Sequence, residues 1–339
     1  MSSQIGIAVV GAGYWGMNYV RVLSMLPETN LVMVCDKSQE RLQDVKQRFP
    51  NIQITSDLED VAASKDFDAV VVSTDATTHY GICRRLLEAG KHILVEKPIT
   101  TNSKHASELI ELADKRNLKL MVGHIFLFNP GIEKVKEFIN KGEIGKIYYM
   151  YSRRTNMGPI RHDVNALWDL APHDVCIFNY FMDRTPEWVS AVGAKFLNNN
   201  NIDAGFITLG YSNNIIGHIH VSWVDPNKER EVIVVGSNQR IAFNDLLPQS
   251  KVTVFEKGIS ASNHNPLGFG EFHLAMRNGD IFSPVVNISE PLKNQILHFV
   301  NCVQYNKCPI SDGKNGLDVI RVMEAIDASI DQNGATIKL

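Results

Sequence analysis

Residues 7–16 read Ile7-Ala8-Val9-Val10-Gly11-Ala12-Gly13-Tyr14-Trp15-Gly16, and the fold of the chain is worked out from them. Ile7, Val9 and Val10 form a β-branched, apolar run suited to a strand covered on both faces. Gly11, Gly13 and Gly16 then fall at G-x-G-x-x-G spacing, and residues 17–25 are compatible with a helix. In such a unit the first glycine permits a sharp turn and the second lets backbone approach a pyrophosphate. The third lets the helix lie close to the strand. Unpaired N–H groups and the macrodipole at the helix N-terminus then favour phosphate. Leu31 to Cys35 reads as a second strand and ends at Asp36, 20 residues beyond Gly16. A carboxylate there accepts hydrogen bonds from the adenosine ribose and repels a 2′-phosphate. These residues predict NAD as cofactor, held by Gly11, Gly13, Tyr14, Trp15, Gly16 and Asp36. Lys37 and Arg41 stand near enough to receive a 2′-phosphate if the acid swings away, which leaves NADP as a second cofactor.

At 339 residues the chain exceeds one typical domain, so two are expected. An apolar fraction of 44% and a charged fraction of 21% are those of a globular protein. A formal net charge of −3 gives no general attraction to nucleic acid or anionic membrane. No apolar run reaches the ~18 residues of a membrane span, and the first residues lack the pattern of a signal peptide. A cytoplasmic protein is the expectation. The five cysteines (35, 83, 176, 302 and 308) are scattered, without the spacing of a zinc site. No metal is expected.

Strand and helix patterns alternate through the first half. Apolar runs at Ala69 to Val72, His92 to Val95 and Lys119 to Val122 are separated by helical stretches at His79 to Ala89 and Ser103 to Arg116. This alternation predicts a doubly wound parallel sheet, whose ligands gather beyond the carboxyl ends of its strands. At one such end lie Thr74 and His79, candidate cofactor contacts; the ordinary alternative is a helix cap. At the next lie Glu96, Lys97 and Pro98. Pro98 confines Lys97 to extended backbone, and a lysine near nicotinamide can donate to a reacting oxygen. A third end carries Gly123-His124 and runs to Asn129-Pro130, read as a loop toward the next domain.

The second half carries strand patterns at Lys146 to Arg154, Trp188 to Lys195, Ala204 to Tyr211, Ile215 to Trp223, Arg230 to Gly236, Arg240 to Asn244 and Lys251 to Glu256. Hairpin spacing argues for antiparallel pairing. The fold class is therefore α/β. An N-terminal Rossmann domain (1–125) precedes a C-terminal α+β domain (126–339) with an open, mainly antiparallel sheet, whose last helices are expected to pack back on the body. Chemistry concentrates between Arg153 and Asp174. Arg153, Arg154 and Arg161 offer cations, Asn156 and Asn165 offer amides, and Trp168 is unusual for a solvated loop. Asp169 and His173 are four apart. A helix beginning near Leu170, with Pro172 in its first turn, would set them on one side. The ordinary alternative is an N-cap aspartate beside a structural histidine. His173 is suited to accept a hydroxyl proton near neutral pH.

Together, G-A-G-Y-W-G, V-E-K-P, G-H-x-x-x-F-N-P and D-x-x-x-H resemble the glucose–fructose oxidoreductase, inositol dehydrogenase and MocA family, in the right order along the whole chain. The resemblance implies hydride transfer between a sugar or polyol carbinol and nicotinamide, with Lys97, Asp169 and His173 as the catalytic group. It also implies a homodimer or homotetramer built on the second domain. Leu127 stands where many members have arginine, so no anion contact carries over to that position. The run from Asn156 to Asp174, with Glu290 to Phe299, is most similar to members that oxidise C3 of a UDP-linked N-acetylhexosamine, such as UDP-GlcNAc, or its uronic acid. Their 3-keto products feed aminotransferases for surface polysaccharide. The nucleotide sugar would then meet Lys97, Arg153, Asn156, Arg161, Asn165, Trp168, Asp169 and His173. The alternatives are a free sugar or polyol dehydrogenase, a 3-ketoreductase, and a non-catalytic dinucleotide or sugar sensor.

Overall fold

The alternating first third forms a six-stranded sheet in the structure, a computed structural model that describes residues 4–158, 160, 164–197, 201–261 and 274–339. The strands are β1 (Ile5–Val10), β2 (Thr29–Cys35), β3 (Gln53–Thr55), β4 (Ala69–Val72), β5 (His92–Glu96) and β6 (Leu120–Gly123). Between them run α1 (Tyr14–Met25), α2 (Gln39–Arg48), α3 (Leu58–Ala63), α4 (His79–Glu88) and α5 (Ser103–Lys115). The order β3-β2-β1-β4-β5-β6 is parallel throughout, the dinucleotide-binding arrangement. Its centre is dry: Ile7, Ala8, Val9, Ala69, Val70, Ile93, Leu94 and Val95 are fully buried. Each large aliphatic side chain there contributes roughly 1.5–3 kcal/mol.

The rest of the chain supplies α6 (Pro130–Asn140), β7 (Ile147–Thr155), α7 (Ala166–Met182), β8 (Trp188–Ala194), β9 (Ala204–Tyr211), β10 (Ile215–Ser222), β11 (Glu229–Gly236), β12 (Arg240–Asn244), β13 (Val252–Phe255), β14 (Gly258–Ala261), β15 (Leu274–Arg277), β16 (Ile281–Phe282), α8 (Pro291–Gln304), α9 (Gly313–Asp331) and β17 (Ile337–Lys338). Nine of these strands form one sheet in the order β16-β13-β12-β11-β7-β10-β9-β8-β17, and β14 pairs with β15. Its pairs are antiparallel except β7 with β10. The Asn129-Pro130 pair, expected as loop, starts α6. Asn129 accepts the Gly131 N–H at 2.9 Å, and Pro130 takes the first turn, where its missing N–H has no partner to lose.

The chain divides into two compact units. One comprises residues 1–128 and 289–324, the other 129–288 and 325–339. The first therefore extends three residues past the expected boundary and includes α8 and the start of α9. In that unit Ser311 takes the edge of β6, accepting the Val122 N–H at 2.7 Å and donating its hydroxyl to the Val122 carbonyl at 2.7 Å. Edge groups that would otherwise stand unpaired are thereby covered. Among the described residues, no helix is long and apolar enough to cross a membrane.

Candidate functional site

In the first unit the glycine turn is built as its spacing predicts. Gly11 has φ +96°, and a Cβ there would meet the Ser73 carbonyl at 2.7 Å. A Cβ on Gly16 would stand 1.8 Å from the Gly11 oxygen, so helix and turn meet backbone to backbone. Ser73, just past β4, donates its hydroxyl to that same Gly11 carbonyl at 2.8 Å. The helix begins at Tyr14, three residues earlier than expected, with Gly13 as N-cap and no side-chain cap. Its first-turn N–H groups are left for an anion. Space beside Gly13 is open but for Arg41 Nη1, 3.8 Å from the position of a Cβ. Tyr14 and Trp15 are exposed, edge to face at 5.9 Å.

Asp36 is buried at the end of β2. One carboxylate oxygen accepts the Ala12 N–H at 2.6 Å and the other the Ser38 N–H at 2.8 Å. Two main-chain bonds hold the acid where a ribose would lie, with lone pairs remaining for hydroxyls. The swing that would favour NADP must break both. Arg41 Nη1 is 3.6 Å away on an exposed side chain, and Lys37 is exposed. The turn, the uncapped helix start and the fixed acid fit an NAD.

At the next strand ends, Thr74 shares a hydrogen bond with Thr78 at 2.8 Å. His79 is buried, with Nδ1 2.8 Å from the Pro98 carbonyl and Nε2 3.0 Å from the Thr74 carbonyl. Both ring nitrogens thus lie against carbonyls of the loops after β4 and β5. Glu96 has a second task that spacing did not reveal. It accepts the Tyr19 hydroxyl at 2.6 Å and the Lys97 N–H at 3.2 Å, while Gln295 Nε2 donates to Tyr19 at 2.8 Å. Burial, and then the Glu96 charge, push the Tyr19 phenol well above its usual range. The Lys97 backbone is thus tied through Glu96 to α1 and α8; the Lys97–Pro98 peptide is cis.

Three features of the second unit bear on the residues expected near the substrate. First, α7 starts at Ala166 rather than near Leu170, because Asn165 is the N-cap, its carboxamide oxygen accepting the Trp168 N–H at 3.0 Å. That oxygen holds the helix, Asp169 is inside it, and Pro172 lies beyond the first turn. Second, period-2 geometry in β7 sends Arg153 and Arg154 to opposite faces. Arg153 is exposed beside Glu229 at 3.1 Å and Glu231 at 3.4 Å. Arg154 is buried and forks onto Asp174, with Nε to Oδ2 at 2.8 Å and Nη2 to Oδ1 at 3.0 Å. Third, the Trp168 indole donates to Asp327 at 2.8 Å. Asn156 lies just past β7, its N–H on the Ser222 carbonyl at 3.1 Å, and Arg161 lies outside the described residues.

Asp169 and His173 lie one turn apart on α7. The Trp223 indole N–H, at the end of β10, donates to Asp169 Oδ2 at 3.3 Å. On this face of β9 and β10, Ile207, Leu209, Tyr211, Ile219, Val221 and Trp223 are buried. The opposite face of those strands presents Phe206, Ile216, His218 and His220, with Phe206 and His220 stacked at 4.4 Å. Among the described residues, no group of three His, Cys, Asp or Glu is placed to hold a metal.

The chain matches known proteins over both units. Residues 5–124 match the model of an oxidoreductase family with an NAD-binding Rossmann fold, and residues 132–242 match the GFO/IDH/MocA C-terminal domain. The scyllo-inositol 2-dehydrogenase (NAD(+)) of Bacillus subtilis is 26% identical over 91% of this chain and 89% of its own. The UDP-N-acetylglucosamine 3-dehydrogenase of Acidithiobacillus ferrooxidans is 28% identical over 55% of this chain and 56% of its own. The WlbA dehydrogenase of Bordetella pertussis, solved with NADH and UDP-GlcNAcA, superposes with a TM-score of 0.82 over 100% of this chain and 99% of that one, at 19% identity. With the glycine turn, the fixed Asp36 and both family models in agreement, this chain belongs to the GFO/IDH/MocA family of NAD-binding oxidoreductases.

Proposed function

We propose that this NAD-dependent dehydrogenase oxidises a secondary ring hydroxyl of a sugar or cyclic polyol to a ketone, using Lys97, Asp169 and His173. Bound NAD supplies the hydride acceptor. His173 takes the hydroxyl proton as base, suited to that task near neutral pH. Asp169, steadied by the Trp223 indole, orients the imidazole and favours its charged form. Lys97, whose main chain is fixed through Glu96, stabilises the oxygen as negative charge develops on it. The observation that carries this reading is the D-x-x-x-H pair one turn apart on α7, in a chain whose other unit is built for NAD.

The free-polyol form of the reaction gains from the inositol dehydrogenase matched over nine-tenths of this chain. It gains also from the pairing of Arg153 and Arg154 with protein carboxylates, since a diphosphate or uronate needs cations. The reading with a UDP-linked N-acetylhexosamine or its uronic acid, oxidised at C3, rests on the run from Asn156 to Asp174 and on the UDP-N-acetylglucosamine relative. That form would draw on Arg161 as a candidate cation for the nucleotide. A homodimer or homotetramer would assemble through the open face of the nine-stranded sheet, where Phe206 and Ile216 are exposed.

The deciding experiment follows NADH absorbance with inositols, free hexoses, UDP-N-acetylglucosamine and its uronic acid, with and without 2-oxoglutarate to recycle bound NADH. Reduction of NAD by an inositol or free sugar alone supports the first form, and by the nucleotide sugars alone the second. Reduction by none of them overturns the proposal.

A further inference from the structure

His124 follows β6 as Lys97 follows β5, and the register of the two strands makes them neighbours. Glu96 pairs with Gly123 in the parallel ladder, so Lys97 and His124 each stand one residue past the last matched pair. That is the carboxyl edge of the sheet, where ligands of this fold gather. His124 is 2% exposed, yet neither ring nitrogen has a hydrogen-bond partner among the described residues. Leaving one buried polar atom unpaired costs roughly 1–3 kcal/mol, and native structures seldom leave two on one ring without a ligand or water. Burial first, and then the Lys97 charge, push the imidazole down to about 3. It is therefore neutral at any ordinary working pH, with one N–H to give and one lone pair to offer.

The N–H and the lone pair point away from each other across the ring, so one ligand group meets only one of them. A hydroxyl can serve at either, accepting from the N–H or donating to the lone pair. Neighbouring strands are about 4.8 Å apart, a span over which two side chains can grip adjacent oxygens of one ring. We infer that His124 is a specificity-determining residue that binds the hydroxyl next to the reacting carbinol, beside Lys97 on the carbinol oxygen itself. This rests on the proposed alcohol oxidation and narrows its substrates to vicinal diols.

The test compares wild type with His124→Phe and His124→Asn, using the accepted substrate and its analogue deoxygenated at the adjacent carbon. The Asn variant keeps a donor and an acceptor. NAD affinity is read separately by fluorescence titration. The expected result is a loss of roughly 10- to 100-fold in kcat/KM for the parent substrate in the Phe variant, with partial rescue by Asn and NAD affinity within about twofold of wild type. Wild type should discriminate against the deoxy analogue by a similar factor, and the Phe variant should not. Equal losses on parent and analogue overturn the assignment, as does an effect confined to NAD affinity, which would give the imidazole to the nicotinamide amide. A change in stability with unaltered kinetics overturns it in favour of a bound water. If wild type oxidises no sugar or polyol, the functional proposal itself fails, a result distinct from an active enzyme indifferent to residue 124.

Discussion

Gly16 shows how tightly one residue can be specified. Its absent Cβ would lie 1.8 Å from the Gly11 carbonyl oxygen, a backbone atom of the turn that must hold the pyrophosphate. Gly16→Ala must therefore push α1 away from β1 or distort the turn, and either change moves the helix-start N–H groups. NAD titration is expected to show at least about tenfold weaker binding, with a lower melting temperature. Unaltered affinity would mean that the turn does not hold the cofactor. This glycine was legible in the sequence because its constraint is local, fixed by residues five apart on one turn. Ser73, which secures the same carbonyl, was not. It lies 62 positions away, and nothing about a serine after an apolar strand distinguishes a hydroxyl turned inward from one in water. Tyr19 and Gln295, 276 positions apart, were hidden for the same reason.

At the scale of elements, α7 carries Asp169 and His173, and side-chain contacts from the sheet hold it, from Arg154, Tyr211 and Trp223. Period 2 in β7 and period 3.6 in α7 were both readable, so the strand and the D-x-x-x-H pair were expected. The face that each arginine would take was not, because a charge beside a charge gives no sign of which one the sheet buries. Arg154 and Asp174 are 6% and 1% exposed at their side chains. Asp174→Ala removes the carboxylate onto which a buried guanidinium forks, and urea denaturation should show a loss of roughly 3–5 kcal/mol. Arg154→Met combined with Asp174→Leu should lose much less, since no buried charge is left unpaired. If the double variant is as unstable as the single, the pair is not what fixes this helix. Trp223→Phe removes the N–H given to Asp169 together with part of a buried indole. It should lower kcat by several-fold, about the effect of one hydrogen bond, with little change in KM for NAD. A purely structural tryptophan would lower stability and leave kcat unchanged.

Among the described residues, burial pushes several imidazoles toward the neutral form. His92, His218, His220 and His298 are all pushed below the usual histidine range, each first by burial, and His124 to about 3 by burial and then by Lys97. The sign of the consequence is fixed by linkage. Between the folded value near 3 and an unfolded value of about 6.5, the unfolded chain binds a proton that the folded chain refuses, so stability rises with pH across that window. His124 therefore withholds nothing from the fold above about pH 6.5, and its penalty grows as pH falls toward 3, by at most ~1.4 kcal/mol per unit. Denaturation midpoints at pH 7 and pH 5 should fall in the wild type. In His124→Asn, which cannot titrate there, the fall should be smaller by about one and a half units of that slope. The other four histidines remain in both proteins and cancel in the comparison. An identical fall in wild type and variant would place His124 in contact with water and take away its part in the stability of the chain at mildly acid pH.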